Sequence, residues 1–331
     1  MTQQEITLLN LGSSLDDLAN LDPRGYGVCK LLYKASREYT GLPLCVNAAQ
    51  KLVEAVKKGD KVFIMTGFVL APFNKAETDG VIGSVLLAGA LIKGLGAKPI
   101  IVCPSECVAA VKNLAEFLTD DASAVGIFVF TKDSSKALKD TERILSDGLP
   151  KAVISIESPG EDEKGVYRNA KGIDVTALEA KQDVLFEVLQ EKGVLNIAIG
   201  DLGNEIGLGT ISDCLENQIP VSPVCTKADN IITATVSDWG CYSLIAMLAY
   251  ILENADIMHD AKIQETVMNI ACRNGLIDMG GEHIPAIDGF GVEITASIVT
   301  LMKESVKSAL NLKNSCKYWF DKMIEMHSFE K

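Results

Sequence analysis

Lys61-Val62-Phe63-Ile64-Met65-Thr66-Gly67-Phe68 is a short, continuous apolar run that closes on a glycine. A run of this kind predicts a strand buried on both faces rather than one with a wet side. The pattern recurs at Lys98–Cys103 (KPIIVC), Val125–Phe130 (VGIFVF), Ala152–Ile156 (AVISI), Leu195–Ile199 (LNIAI) and Asn230–Val236 (NIITATV). Helical periodicity fills the gaps, at Gly80–Leu95, Glu106–Leu118, Ser135–Leu145 and Ala177–Gln190. Upstream, Leu31, Leu32 and Ala35, then Leu52, Val53 and Val56, fall at helical intervals as far as about Lys58. Downstream, Trp239–Glu253, Ile263–Arg273 and Val292–Leu310 read as helices, with helix to about Met326. Strands alternating with helices predict an α/β fold of mostly parallel sheet with helices on both faces. A chain of 331 residues exceeds one typical domain, so two lobes are expected. The Gly- and charge-rich loop Glu157–Gly172 is the natural boundary, giving an N-terminal α/β lobe 1–157 and a C-terminal lobe 158–331 with terminal helices.

Composition narrows the function. Hydrophobic residues make up 48% and charged residues 23%, as in folded globular chains. The formal net charge of −13 repels phosphate backbones and argues against nucleic-acid binding. Nine cysteines, none in a C-x-x-C pair, read as reduced thiols rather than a disulfide scaffold. The start Met-Thr-Gln-Gln-Glu shows no secretory pattern, and the longest apolar run, Val81–Leu95, is broken by Lys93. That run falls short of the roughly 18–20 apolar residues of a membrane span, so a cytoplasmic protein that does not enter membranes is expected.

In open α/β sheets ligands bind beyond the carboxyl ends of the strands. Four of those ends carry acids: Glu77 and Asp79 after the first strand, Glu157 after AVISI, Asp201 and Glu205 after LNIAI, and Asp238 after NIITATV. Taken singly, each has a plain structural reading. Asp79 and Asp238 read equally well as helix caps, and Glu157 as a solvated loop residue. The convergence is what points to a site. Glycines at 200, 203, 207 and 209 fit neither G-x-G-x-x-G nor a phosphate loop, which argues against a dinucleotide-dependent oxidoreductase and any organic cofactor. Trp239 reads equally as pocket wall and as core. Three scattered histidines make no histidine metal cluster.

These residues resemble the D-glutamate cyclase family. The likeness rests on Thr66-Gly67-Phe68 followed by Glu77-Thr78-Asp79-Gly80, on Gly200-Asp201-x-Gly203-Asn204-Glu205-Ile206-Gly207-x-Gly209, and on Ser237-x-Trp239-Gly240 with Tyr242. Arg24-Gly25, Glu157-x-Pro159-Gly160, Gly165-x-Tyr167, Gly172-x-Asp174, Asp278 and Asp288-Gly289 support it. Leu202, Val81-Ile82-Gly83 and Asp238 depart from the family pattern. The resemblance implies conversion of D-glutamate to 5-oxo-D-proline with loss of water.

Cyclisation needs a base for the α-ammonium, a proton for the departing oxygen and donors for the tetrahedral oxyanion. Asp201 and Glu205 are candidates for ammonium binding and base work, and Glu77 or Asp79 for the acid. Asn204 and backbone N–H groups of the glycine turn would hold the oxyanion, and Arg24 or Lys75 the α-carboxylate. Gly67, Glu157, Gly200, Gly203, Asp238 and Trp239 complete the expected substrate-binding set. Carboxylate and amide oxygens also suit Mg²⁺ or Mn²⁺ as a Lewis acid, although nothing in the spacing demands a metal. The expected partner is a small glutamate-like amino acid, with a homo-oligomer formed through apolar helices of the second lobe as a further expectation. Another lyase, racemase or hydrolase of a small acidic metabolite, or a non-catalytic binding protein, stays open at this point.

Overall fold

In the computed structural model, residues 2–215, 218, 222–312 and 317–326 are described. Six strands form one all-parallel sheet: β1 (Lys61–Thr66), β2 (Lys98–Cys103), β3 (Gly126–Val129), β4 (Ala152–Ile156), β5 (Leu195–Gly200) and β6 (Ile231–Thr233). Their order is β3-β2-β1-β4-β5-β6, the doubly wound arrangement of two β-α-β-α-β halves that diverge from a central pair. The α/β fold expected from the sequence is the fold found. The 157/158 position lies just beyond β4, so strands from both sides of it join the same sheet.

Alternate residues of each strand feed two cores, which explains the continuous apolar runs. Val62, Ile64, Ile101, Ile154, Ile197 and Ile199 face the larger core. There they meet α1 (Gln3–Ala19), α3 (Leu44–Ala55), α4 (Val81–Leu95), α5 (Val108–Thr119), α8 (Ser237–Ile251), α9 (Ala261–Arg273) and α10 (Val292–Leu312). Phe63, Met65, Val102, Val153 and Ala198 face the smaller core, with α2 (Val28–Thr40), α6 (Ser134–Leu145) and α7 (Gln182–Glu191). A short α11 (Lys317–Glu325) closes the described chain. α8 is buried nearly all round, which accounts for its lack of an apolar stripe.

Some boundaries differ from expectation. β6 ends at Thr233, because Thr235 donates its N–H to Ala19 and leaves the sheet to hold the end of α1. The helix expected from Ala177 starts at Gln182, since Lys181 donates its backbone N–H to Thr131 instead. Among the described residues no helix is long and apolar enough to cross a membrane. The described cysteines are free thiols, with Cys214 and Cys225 exposed.

Candidate active site

The order reversal lies between β1 and β4, and loops from both strand ends meet there. After Thr66, Gly67 at φ +109° turns the chain into a hairpin, Val69–Leu70 against Lys75–Ala76. The hairpin returns Glu77, whose N–H bonds Phe68, and Thr78, whose hydroxyl bonds the Ala286 carbonyl. Asp79 follows, then Gly80 at φ +76° opens α4. A Cβ at Gly80 would stand 2.5 Å from Glu157 Cβ and 2.8 Å from Thr66 Oγ1, so glycine is what lets Asp79 approach the end of β4. Glu157 and Asp288 both hold left-handed backbone, at φ +46° and +51°. Such strain in non-glycine residues concentrates at functional sites.

Asp79 and Asp238 cap each other's helices. Asp79 accepts from the N–H groups of Ser237 at 3.1 Å and Asp238 at 2.8 Å, the start of α8. Asp238 Oδ1 accepts from Gly80 at 3.0 Å and Gly83 at 2.8 Å, the start of α4. Both helix N-termini therefore point into the acid cluster and offset part of its charge. Glu157 accepts from the Ser237 hydroxyl at 2.6 Å.

These loops enclose a cavity of about 420 Å³. Of the expected site residues, Arg24, Glu77, Asp79, Glu157, Asp201 and Asn204 line it. Carboxylate oxygens of Asp79, Glu157 and Asp201 lie within 4.8 Å of one another, all three residues being buried. Burial pushes the pKa values of Glu77, Asp79, Glu157 and Asp201 well above their ordinary range, so each holds its proton more tightly. Neighbouring charge adds to this, chiefly Asp79 on Glu77, Asp238 on Asp79, Asp201 on Glu157 and Asp288 on Asp201. Burial also lifts Asp238 to about 7. Arg24 meets this field with its guanidinium 2.6 Å from Asp288, 3.0 Å from the Thr235 carbonyl and stacked 4.7 Å from the Phe290 ring. Buried Asn204 Oδ1 and Thr235 Oγ1, both on lining residues, have no hydrogen-bond partner among the described residues.

The other expected residues stand behind the cavity. Glu205 is fully buried beneath the turn and accepts from the N–H groups of Asp201 at 3.1 Å, Leu202 at 2.8 Å and Gly203 at 2.7 Å. Gly200 leaves the room this carboxylate needs, because a Cβ there would lie 2.9 Å from Glu205 Cδ. Gly203 donates to Glu205, and Gly67 backs onto Pro104 and Cys107. Asp238 serves the helix starts, and Trp239 is buried against Phe290 at 4.9 Å. Lys75 is exposed and meets His283 at 2.6 Å. Sequence reasoning left Asp288 and Thr235 out of the site, although both line it. The Asp288-Gly289 turn was the available signal for the first; Thr235 lay hidden within an apparent strand.

The clustered oxygens of Asp79, Glu157 and Asp201 are hard donors and carry no nitrogen or sulfur, which fits Mg²⁺ or Mn²⁺. Three mutually repelling carboxylates within one such radius gain from any shared cation.

A family described as D-glutamate cyclase-like, C-terminal, matches residues 15–303. The human protein named D-glutamate cyclase, mitochondrial, is 26% identical over 270 residues, covering 76% of this chain and 41% of that protein. The chain thus spans less than half the length of that relative. With its motifs on one cavity and the match running over most of its length, this chain belongs to the D-glutamate cyclase-like family.

Proposed function

We propose that the protein is a lyase that cyclises D-glutamate to 5-oxo-D-proline and water. The observation that carries this reading is the meeting of Glu77, Asp79, Glu157 and Asp201 with Arg24 around one cavity. The reaction moves two protons from the α-ammonium to the departing γ-oxygen while the N–C bond forms and a C–O bond breaks. A group of carboxyls of raised and unequal proton affinity can take those protons at one atom and return them at another.

In this reading Arg24 holds the α-carboxylate, and Asp201 and Glu157 receive the ammonium. Asp201 takes the proton that frees the amine for attack. Glu77 or Asp79, held protonated by burial, donates to the leaving oxygen. Asn204 and Thr235 orient the folded substrate through their unpartnered oxygens. Glu205 and Asp238 keep the loops in place and touch no substrate. In a metal-dependent form of the reaction Asp79, Glu157 and Asp201 would instead hold a divalent cation, which as a Lewis acid would neutralise the γ-carboxylate, with Glu77 as the acid. The test is chiral chromatography of 5-oxoproline formed from D- and L-glutamate, with EDTA and with Mg²⁺ or Mn²⁺. Formation of the D-product from D-glutamate supports the proposal, and no 5-oxoproline from either enantiomer under any condition rejects it.

A further inference from the structure

The cavity has two chemically distinct zones. Glu77, Asp79, Glu157 and Asp201 are deep, each no more than 7% exposed. Its rim has an apolar wall on one side, where Tyr26, Ile173 and Met279 are 77%, 51% and 50% exposed and Phe68 and Leu70 continue inward from the hairpin after β1, with Asp22, Asn169 and Lys171 completing the rim. A volume of about 420 Å³ falls in the range that encloses drug-sized ligands and exceeds what one small amino acid fills. Free glutamate, charged at all three ends, leaves the apolar wall uncovered.

Charge points the same way. A free γ-carboxylate would enter beside Glu77, Asp79, Glu157 and Asp201, with Arg24 already shared between Asp288 and the α-carboxylate. A γ-amide is neutral there and carries a more electrophilic carbonyl than a carboxylate. The deep side is closed by the starts of α4 and α8, so a group on the γ-nitrogen has the apolar wall as its open direction.

We infer that the site also takes γ-amides of glutamate that carry an apolar group on the amide nitrogen, and cyclises them with release of the amine; this rests on the cyclisation reading above. The α-nitrogen forms a bond to the γ-carbon, and the C–N bond to the departing group breaks. Two protons leave the α-ammonium and two arrive on the released nitrogen, which departs as an ammonium. The products are 5-oxoproline and R-NH₃⁺, so charge and atoms balance without a co-reactant.

The experiment compares D-glutamate, D-glutamine and the γ-benzylamide of D-glutamate on the whole chain with Mg²⁺ or Mn²⁺, with enzyme-free controls subtracted. Chromatography reads 5-oxoproline and benzylamine together. The expected result is a kcat/KM for the benzylamide at least roughly ten-fold above that for glutamine, the scale a hydrophobic contact contributes to discrimination. Ile173→Asn and Met279→Asn should shrink that ratio. Cyclisation of glutamate with a benzylamide no better than glutamine overturns the inference and leaves dehydration standing. Cyclisation of the benzylamide alone supports the inference and removes dehydration of glutamate. No product from any of the three overturns both.

Discussion

Replacing Glu205 with glutamine tests whether this residue supports the site from beneath. Its Oε1 accepts from the N–H groups of Asp201 and Leu202, and its Oε2 from Gly203. A glutamine that keeps its carbonyl at Oε1 retains two of these bonds but sets an NH₂ against the Gly203 N–H. One charge-assisted bond, about 1.5–3 kcal/mol, is lost, and the two that remain lose their ionic character. The net effect is about 3 kcal/mol of destabilisation, or roughly 4 °C in melting temperature for a chain of this size. The turn that loosens is the one that carries Asp201, and a displacement near 1 Å at a reacting group lowers rate by about 100-fold. Thermal denaturation by circular dichroism and steady-state 5-oxoproline formation give the two readouts. A variant that melts within about 1 °C of the parent and keeps its kcat would refute the assignment of Glu205 as the anchor of this turn.

Three further outcomes follow from the same geometry. Asp201→Asn should abolish 5-oxoproline formation without lowering the melting temperature; measurable turnover would remove Asp201 as the base. Asp238 is raised to about 7, so its proton favours the folded chain below the ordinary carboxylate range, and that contribution fades as pH climbs from about 4 through 7. In EDTA the melting temperature should therefore fall between pH 5 and pH 8, and Asp238→Asn should flatten the fall; an unchanged profile would contradict it. Added Mn²⁺ should raise the melting temperature more at pH 8 than at pH 5, because cation and proton compete for the same oxygens, and a Glu157→Gln variant should lose most of the shift in a dye-based melting assay.

Much of this was legible because both sheet faces are covered. That constraint writes unbroken apolar runs such as FIM at Phe63–Met65 and AVISI at Ala152–Ile156, which need no partner to be recognised. The acids stood out as a group for a related reason, since each directly follows such a run or the hairpin after it. Their division of labour was not legible. Asp201 and Glu205 share one loop, and only the chain folding back on itself turns one toward the cavity and the other toward three backbone N–H groups. Asp288 escaped because it arrives from far along the chain and joins the site through its 2.6 Å contact with Arg24. Trp239 gave no signal either way, because a large ring after a strand serves a pocket or a core equally, and here Phe290 claims it.

The placement of the acids at separate strand ends has a consequence for how the molecule comes into being. Asp79 rides on the segment after β1, Glu157 just beyond β4 and Asp201 just beyond β5, so no fragment containing a single hairpin or a single β-α-β unit holds all three acids. Competence arrives at one moment, when the central strands dock side by side. A nascent or partly unravelled chain lacks the assembled acid cluster, so on the cyclisation proposal its turnover would count molecules whose sheet is whole.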